Sequence, residues 1–467
     1  MRKFYQINHF YLLIILMSLA FLIRHQFILE QSYWMDELYS AARSIPSKSF
    51  EDVYYWGPDP HPPLHYIFLW ITYKCVGFTE YAGRMLSIIA GVLIIPAVYF
   101  LGKEVFNKQT GFLSSLAVTF NPILFFFSLE TRSYELLALF SVISSYLFIK
   151  CISKPSFFRS FMYFLSLIIL TNLHFFGLLV LASQAVTYFI SCIKTDFFQL
   201  WKYIYLPIFF AVLSYLPLLD LAIEISGNGP TWIQTENIFS FIQNTFVYFI
   251  VGSTTSLSSQ ISIFFGNILL VCFIYFFGYL FAKDFNIKYL LILMIFIFTF
   301  FISYLIGLAL NPIFNARNAI IFLPFLVITL SFGINLIMHH FSKTFGLSVF
   351  FIIFLLPFFF YKIPPKQDWR NALLSASELT GTIYVPGWIG QWDVYKQWLN
   401  LKNLKLIPLS HLNKSDIQPN EKIFVIWAHI EPEAFESVKN IPSNFIVEDK
   451  INLYSSGIHI YGRNSND

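Results

Sequence analysis

Charge is what this chain has least of. Only 12% of its 467 residues are charged, about half of what a soluble domain carries. That scarcity rules out an ordinary soluble protein, and the net charge of +4 gives no sign of nucleic-acid binding. Cysteine is also scarce. Cys75, Cys151, Cys192 and Cys272 are scattered, three of them in hydrophobic stretches, with neither metal-site spacing nor a disulfide framework. No internal repeat or low-complexity linker occurs. The first apolar segment, about 9–29, follows Arg2 and Lys3, but it is too long for a signal-peptide core and lacks a small-residue cleavage site, so it reads as a retained span.

Hydrophobic residues make up 57% of the chain and aromatics 20%, with 57 Phe. A membrane-crossing helix needs about 20 mostly apolar residues. The class is therefore a polytopic α-helical membrane protein. Apolar runs predict eleven spans, at about 9–29, 84–102, 111–129, 134–150, 160–173, 175–193, 203–224, 262–282, 289–310, 319–338 and 345–361.

With the N-terminus in the cytoplasm, the cytoplasmic segments hold Arg2, Lys3, Lys103, Lys108, Lys150, Lys154, Arg159, Lys194, Lys202, Lys283, Lys288 and Lys343. Against these stand only Glu104, Asp196 and Asp284. This is the positive-inside asymmetry. Treating Leu64 to Phe78 as a span would invert every later loop, so this stretch, which contains Lys74, reads as a helix lying on or partly in the outer face. The expected organisation is a membrane domain over 1–361, with an outer loop at 30–83, and a soluble outer domain over 362–467. That tail holds 11 Lys+Arg and 11 Asp+Glu. Short apolar runs at 382–386, 405–409, 422–427, 445–447 and 458–461 predict strands, 432–440 predicts a helix, and their alternation predicts a small α/β domain. The region 225–261 reads as a long outer loop.

Four polar clusters then fall on the outer side. Trp34-Met35-Asp36-Glu37 places two carboxylates at a membrane edge. They could simply complement a helix dipole, but the loop is far longer than a connector needs, and Asp36 reads as a general base. His61-Pro62-Pro63-Leu64-His65 enters a helix through two prolines that fix the position of His61; His61 with His65 alone is a weak metal signal. In Glu130-Thr131-Arg132-Ser133-Tyr134-Glu135, Arg132 emerges from a span, where an arginine needs a carboxylate or an anionic ligand. Arg317, in Asn315-Ala316-Arg317-Asn318, either snorkels to headgroups or grips a phosphate.

In order and on one side, these motifs resemble the GT-C glycosyltransferases that use polyprenyl-phosphate sugars, specifically the bacterial family 39-like branch related to protein O-mannosyltransferases and aminoarabinose transferases. The matching residues are Asp36-Glu37, His61-Pro62-Pro63-Leu64, Arg84 and Ser87 in Gly83-Arg84-Met85-Leu86-Ser87, Glu130, Arg132 and Tyr134, and Lys366-Gln367-Asp368-Trp369-Arg370. The family's late Arg-Tyr pair is Arg317-Asn318 here, so the tyrosine's contact is not implied. The resemblance implies a sugar donor on a polyprenyl phosphate and a lipid, glycan or protein acceptor at the outer face of the inner membrane. It implies catalysis at Asp36 and Glu37, and substrate contacts from His61, Arg84, Glu130, Arg132, Tyr134 and Arg317. Direct displacement would invert the anomeric centre. No cofactor is implied; an arginine clamp could serve without metal, and a divalent metal stays open. The competing class is a translocase or binding protein that grips lipid-linked sugars without chemistry.

Overall fold

A computed structural model describes residues 9–55, 61–194, 196–218, 237–252, 259–283, 286–309, 315–387, 389–412, 422–430, 432 and 436–463. Eight helices are long and apolar enough to cross a membrane: His9–Gln26, Glu80–Val105, Tyr134–Ser153, Phe198–Leu218, Ile263–Lys283, Ile287–Ala309, Asn318–His340 and Lys343–Phe360. Together with one bent pair and the shorter helices Phe157–Leu173 and Gly177–Ile193, they fall on the eleven expected positions.

The bent pair, Lys108–Thr119 and Pro122–Ser128, turns through 56°. The cause is local. Asn121 accepts from the backbone N–H groups of Ile123 and Leu124, and Pro122 takes the first helical position, so a new helix starts where the old one stops. Asn121 Nδ2 also donates to Phe249 O at 2.7 Å. The short second helix then delivers the chain directly to the 130–133 turn.

Leu64–Val76 is a 13-residue helix, too short to span. The 225–261 segment departs from the loop expected of it. Ile238–Val251 forms an apolar helix, capped by Asn237 and ended by Gly252 at φ 88°, and it packs against Ser259–Lys283. Its run of Ile, Phe and Val has more apolar surface than an exposed loop tolerates.

In the tail, β1 (Ile383–Val385), β2 (Leu406–Pro408), β3 (Ile423–Ala428), β4 (Phe445–Leu453) and β5 (Ser456–Arg463) form one sheet in the order β2-β1-β3-β5-β4. β2, β1 and β3 are parallel, while β5 pairs antiparallel with β3 and β4. Helices Trp369–Ser377 and Gly390–Trp398 cover one face. Of the helix expected over 432–440, a 3-10 turn at Glu436–Asn440 is seen, and 433–435 lie outside the described residues.

The tail is not a separate ball. Its core side chains Trp369, Leu373, Ile383, Trp392 and Ile426 join Leu38, Ala41, Ala42, Leu69 and Tyr73 of the 30–83 loop in one continuous apolar cluster. The helix Met35–Arg43, which begins with the acidic pair, is thus wedged between the membrane bundle and the tail. At the other end of the bundle, Glu104 pairs with Lys150 and Lys288, three of the residues counted on the cytoplasmic side.

Candidate active site

The adjacent acids separate into two environments. Glu37 is fully buried (0% exposed). Its carboxylate receives Arg84 Nε and Nη2, both at 3.2 Å, Lys366 Nζ at 3.0 Å, and the backbone N–H groups of Thr131 and Trp34 at 2.9 and 3.3 Å. Burial pushes the Glu37 carboxyl up, but the charges of Arg84 and Lys366 and these hydrogen bonds outweigh it and hold it below the usual carboxylate range. Asp36, one residue earlier in the same turn, is only partly buried, and its carboxylate makes no hydrogen bond among the described residues.

Arg84 corrects an expectation. It is 2% exposed, and beyond Glu37 its Nη1 donates to Ile28 O and Gln31 O, and its Nη2 to Ser32 O. With every nitrogen engaged by protein, Arg84 fastens the 28–37 segment to the bundle and presents nothing to a substrate.

The 130–133 turn supplies the next layer. Glu130 is buried, and neither carboxylate oxygen has a hydrogen bond; Lys366 Nζ is its ion partner at 3.4 Å. Burial lifts the Glu130 carboxyl above the usual range; Lys366 and Arg317 pull against the shift, while Glu37 and Asp36 add to it. Arg132 Nη1 donates to Asp36 O and Ser40 Oγ, and Arg132 Nη2 lies 2.6 Å from His61 Nε2. An arginine can only donate, so His61 Nε2 accepts and the ring proton sits on Nδ1. Burial, and then the charge of Arg132, press His61 well below the ordinary histidine value, and the same two causes bring His65 to about 3. The His61 ring lies 4.9 Å from that of His174, between centroids. Arg132 thus braces the Asp36 helix against the His61 loop.

Arg317 completes the cluster. Its guanidinium lies 4.8 Å from the Trp34 ring. Burial opposes its charge, but Glu130, Tyr134, Tyr248 and Asp36 surround it and keep it firmly cationic. The structure therefore brings Asp36, Glu37, Glu130, Arg132, Tyr134, His61 and Arg317 to one end of the bundle. Among the described residues, no three His, Cys, Asp or Glu side chains converge as metal ligands.

Lys366 and Tyr248 were not singled out individually from the sequence. Lys366 had a signal, since it opens the Lys366-Gln367-Asp368-Trp369-Arg370 run, and each member docks. Lys366 bridges Glu37 and Glu130, Gln367 Oε1 accepts from Met35 N at 3.0 Å, Asp368 caps Trp369–Ser377, Trp369 enters the shared core, and Arg370 pairs with Glu80 at 2.8 Å. Tyr248 had none, because it lies in the segment read as loop.

The sequence profile of the family described as dolichyl-phosphate-mannose-protein mannosyltransferase matches residues 60–217, a third of the chain. No curated protein is similar to the chain in sequence. Among solved structures, ArnT from Cupriavidus metallidurans in the apo state superimposes with a TM-score of 0.59 at 10% identity, over 96% of this chain and 97% of that one. The same protein bound to undecaprenyl phosphate gives 0.55 at 10% identity, with the same coverage. The chain has the GT-C glycosyltransferase fold. The archaeal oligosaccharyltransferase AglB from Archaeoglobus fulgidus, in complex with an inhibitory peptide and a dolichol-phosphate, shares this GT-C fold at a TM-score of 0.54 and 12% identity, over 89% of this chain and 69% of that one.

Proposed function

We propose that this GT-C protein transfers a sugar from a polyprenyl-phosphate donor to an acceptor hydroxyl at the outer face of the cell's inner membrane, with inversion, and that Asp36 is the general base. The observation that carries the reading is the contrast within the acidic pair. Glu37 is saturated by five donors, whereas Asp36 has a carboxylate with no hydrogen bond among the described residues, within the electrostatic reach of Arg317.

In the proposed step, the acceptor oxygen attacks the anomeric carbon, its proton passes to Asp36, and the bond to the lipid phosphate breaks. Charge gathers on the departing phosphate, where a fixed cation lowers the barrier most. Arg317 fills that role, with its guanidinium over the Trp34 ring. Arg132 is already committed to His61, Ser40 and the Asp36 backbone, so its part is to hold the base in place. Glu37, with Arg84, sets the pitch of the turn that aims Asp36. Tyr134 and Tyr248 lie within the electrostatic reach of Arg317.

The test is envelope glycan and lipid mass spectrometry in a deletion strain complemented with wild type or Asp36→Asn. Loss of a positioned base lowers transfer by about 10²–10⁴-fold, so the modified product disappears while the protein stays in the membrane. A full complement of product from Asp36→Asn would overturn the assignment, and would favour a gripping or translocating role.

A further inference from the structure

A pocket of about 100 Å³ opens where the carboxyl ends of β1 and β3 meet the start of the Asp36 helix. Ligands of parallel sheets gather at strand carboxyl ends, where backbone groups run out of ladder partners. The walls are apolar. Trp369 and Trp392, with ring centroids 4.4 Å apart, line it together with Met35 and Trp427.

Two polar features interrupt this wall. Gln391 is 2% exposed and lines the pocket, yet its side-chain amide makes no hydrogen bond among the described residues. The amide atoms are not sealed off from solvent, so a ligand that displaces water from the pocket must meet them with hydrogen bonds of its own. His429 adopts φ 73°, a conformation that needs support in a non-glycine residue. Its backbone N–H donates to Ser455 O, and its Nδ1 lies 2.7 Å from Gln367 Nε2. Gln367 in turn accepts from Met35 N, so the rim of the pocket is wired to the residue next to Asp36.

We infer that this pocket is an acceptor subsite for the acetamido group of an N-acetylated amino sugar. The chemistry matches in three parts. The pocket takes a few heavy atoms, not a whole glycan. Its indoles suit a methyl group, and a carboxamide donates to the ligand carbonyl while accepting from the ligand N–H. A hydroxylated ring edge would leave its polar groups against indole carbon. Met35, which lines the pocket, and Asp36 are consecutive in the first turn of one helix, so the pocket lies beside the turn that carries the base. The inference rests on the glycosyltransferase reading for its purpose, but not for its binding event.

The experiment uses the full chain in nanodiscs free of glycosidic detergent, with methyl N-acetylglucosaminide and methyl glucoside as probes and saturation-transfer NMR as the readout. The expected result is a preference of about tenfold or more for the acetamido sugar, the worth of one buried amide hydrogen bond. Gln391→Met, close in shape, abolishes that preference. Met35→Trp, which fills the mouth from the opposite wall, abolishes binding. Asp36→Asn binds with the preference intact while losing transfer; normal transfer by that variant would break the catalytic reading and leave the subsite standing. Equal binding of the two sugars, an unchanged preference in Gln391→Met, or tighter binding of an N-acetylasparagine amide than of either sugar would overturn the subsite.

Discussion

Replacing Glu37 with Gln tests the division of labour in the acidic pair. The carboxylate holds Arg84, 2% exposed, and Lys366, and it accepts two backbone N–H groups. Glutamine keeps the shape but offers one acceptor oxygen and one NH₂, so an amide donor must face an arginine, an ammonium or a backbone donor. Among the described residues, Lys366 then keeps only Glu130, 3.4 Å away, as a counter-charge, and Arg84 loses its ion-pair partner. Breaking a buried pair by removing one partner costs about 3–5 kcal/mol, and the displaced backbone donors add to it. The expected loss of unfolding free energy is therefore about 3–5 kcal/mol, measured by SDS titration in mixed micelles. Asp36→Asn, with no hydrogen bond to break, falls within about 0.5 kcal/mol of wild type while abolishing transfer. Arg84→Met costs less in the Glu37→Gln background than alone, because the ion pair is already broken, although the carbonyls of Ile28, Gln31 and Ser32 still lose their donor. If Glu37→Gln costs less than Asp36→Asn, or if the double change is simply additive, the latch reasoning fails.

Arg317→Ala, and to a lesser degree Arg317→Lys, lowers kcat more than it raises KM, since the fork and its stack on Trp34 serve the leaving phosphate; equal effects on both constants would mark it as a ground-state contact only. Glu130→Gln stabilises the resting protein at neutral pH. The raised folded value means that stability falls as pH rises from the ordinary glutamate value, about 4.3, through the folded one, and the amide removes that slope; melting curves across pH check it. His65, held at about 3, gives the opposite sign: the unfolded chain takes up a proton first, so stability drops as pH falls below about 6.5, and His65→Asn flattens that limb. Transfer by purified protein is expected to survive exhaustive chelation; loss of activity restored by a divalent cation would refute the arginine-only clamp.

Hydropathy and charge carried most of the architecture, because a bilayer punishes polar residues so strictly that spans announce themselves. The bent pair at Asn121 and the apolar helix Ile238–Val251 were harder. One depends on a side-chain cap inside an apolar run, and the other on a segment whose length falls between loop and span. In the site, types were legible before roles. Arg84 was expected to contact substrate because its motif resembles the family's, and only three dimensions show that it pairs with Glu37. Tyr248 carries no motif at all; its place beside Arg317 comes from helix packing. The shared core between Leu38, Ala41 and Trp369 joins residues more than three hundred positions apart, a separation that no local pattern encodes.

That separation has a consequence for how the protein comes into being. Glu37 and Glu130 are laid down early, while the lysine that pairs with both is residue 366, and Gln367 and Arg370 arrive with it. Until the ribosome has passed that point, the bundle holds a pair of acids without their shared counter-ion, and the Asp36 turn lacks its tether. Completion of the tail is thus an assembly checkpoint. A chain cut short after the final span is expected to insert but to stay inert. Supplying residues 362–467 as a separate polypeptide to such a truncated bundle should restore the site, with recovery lost when the added piece carries Lys366→Met.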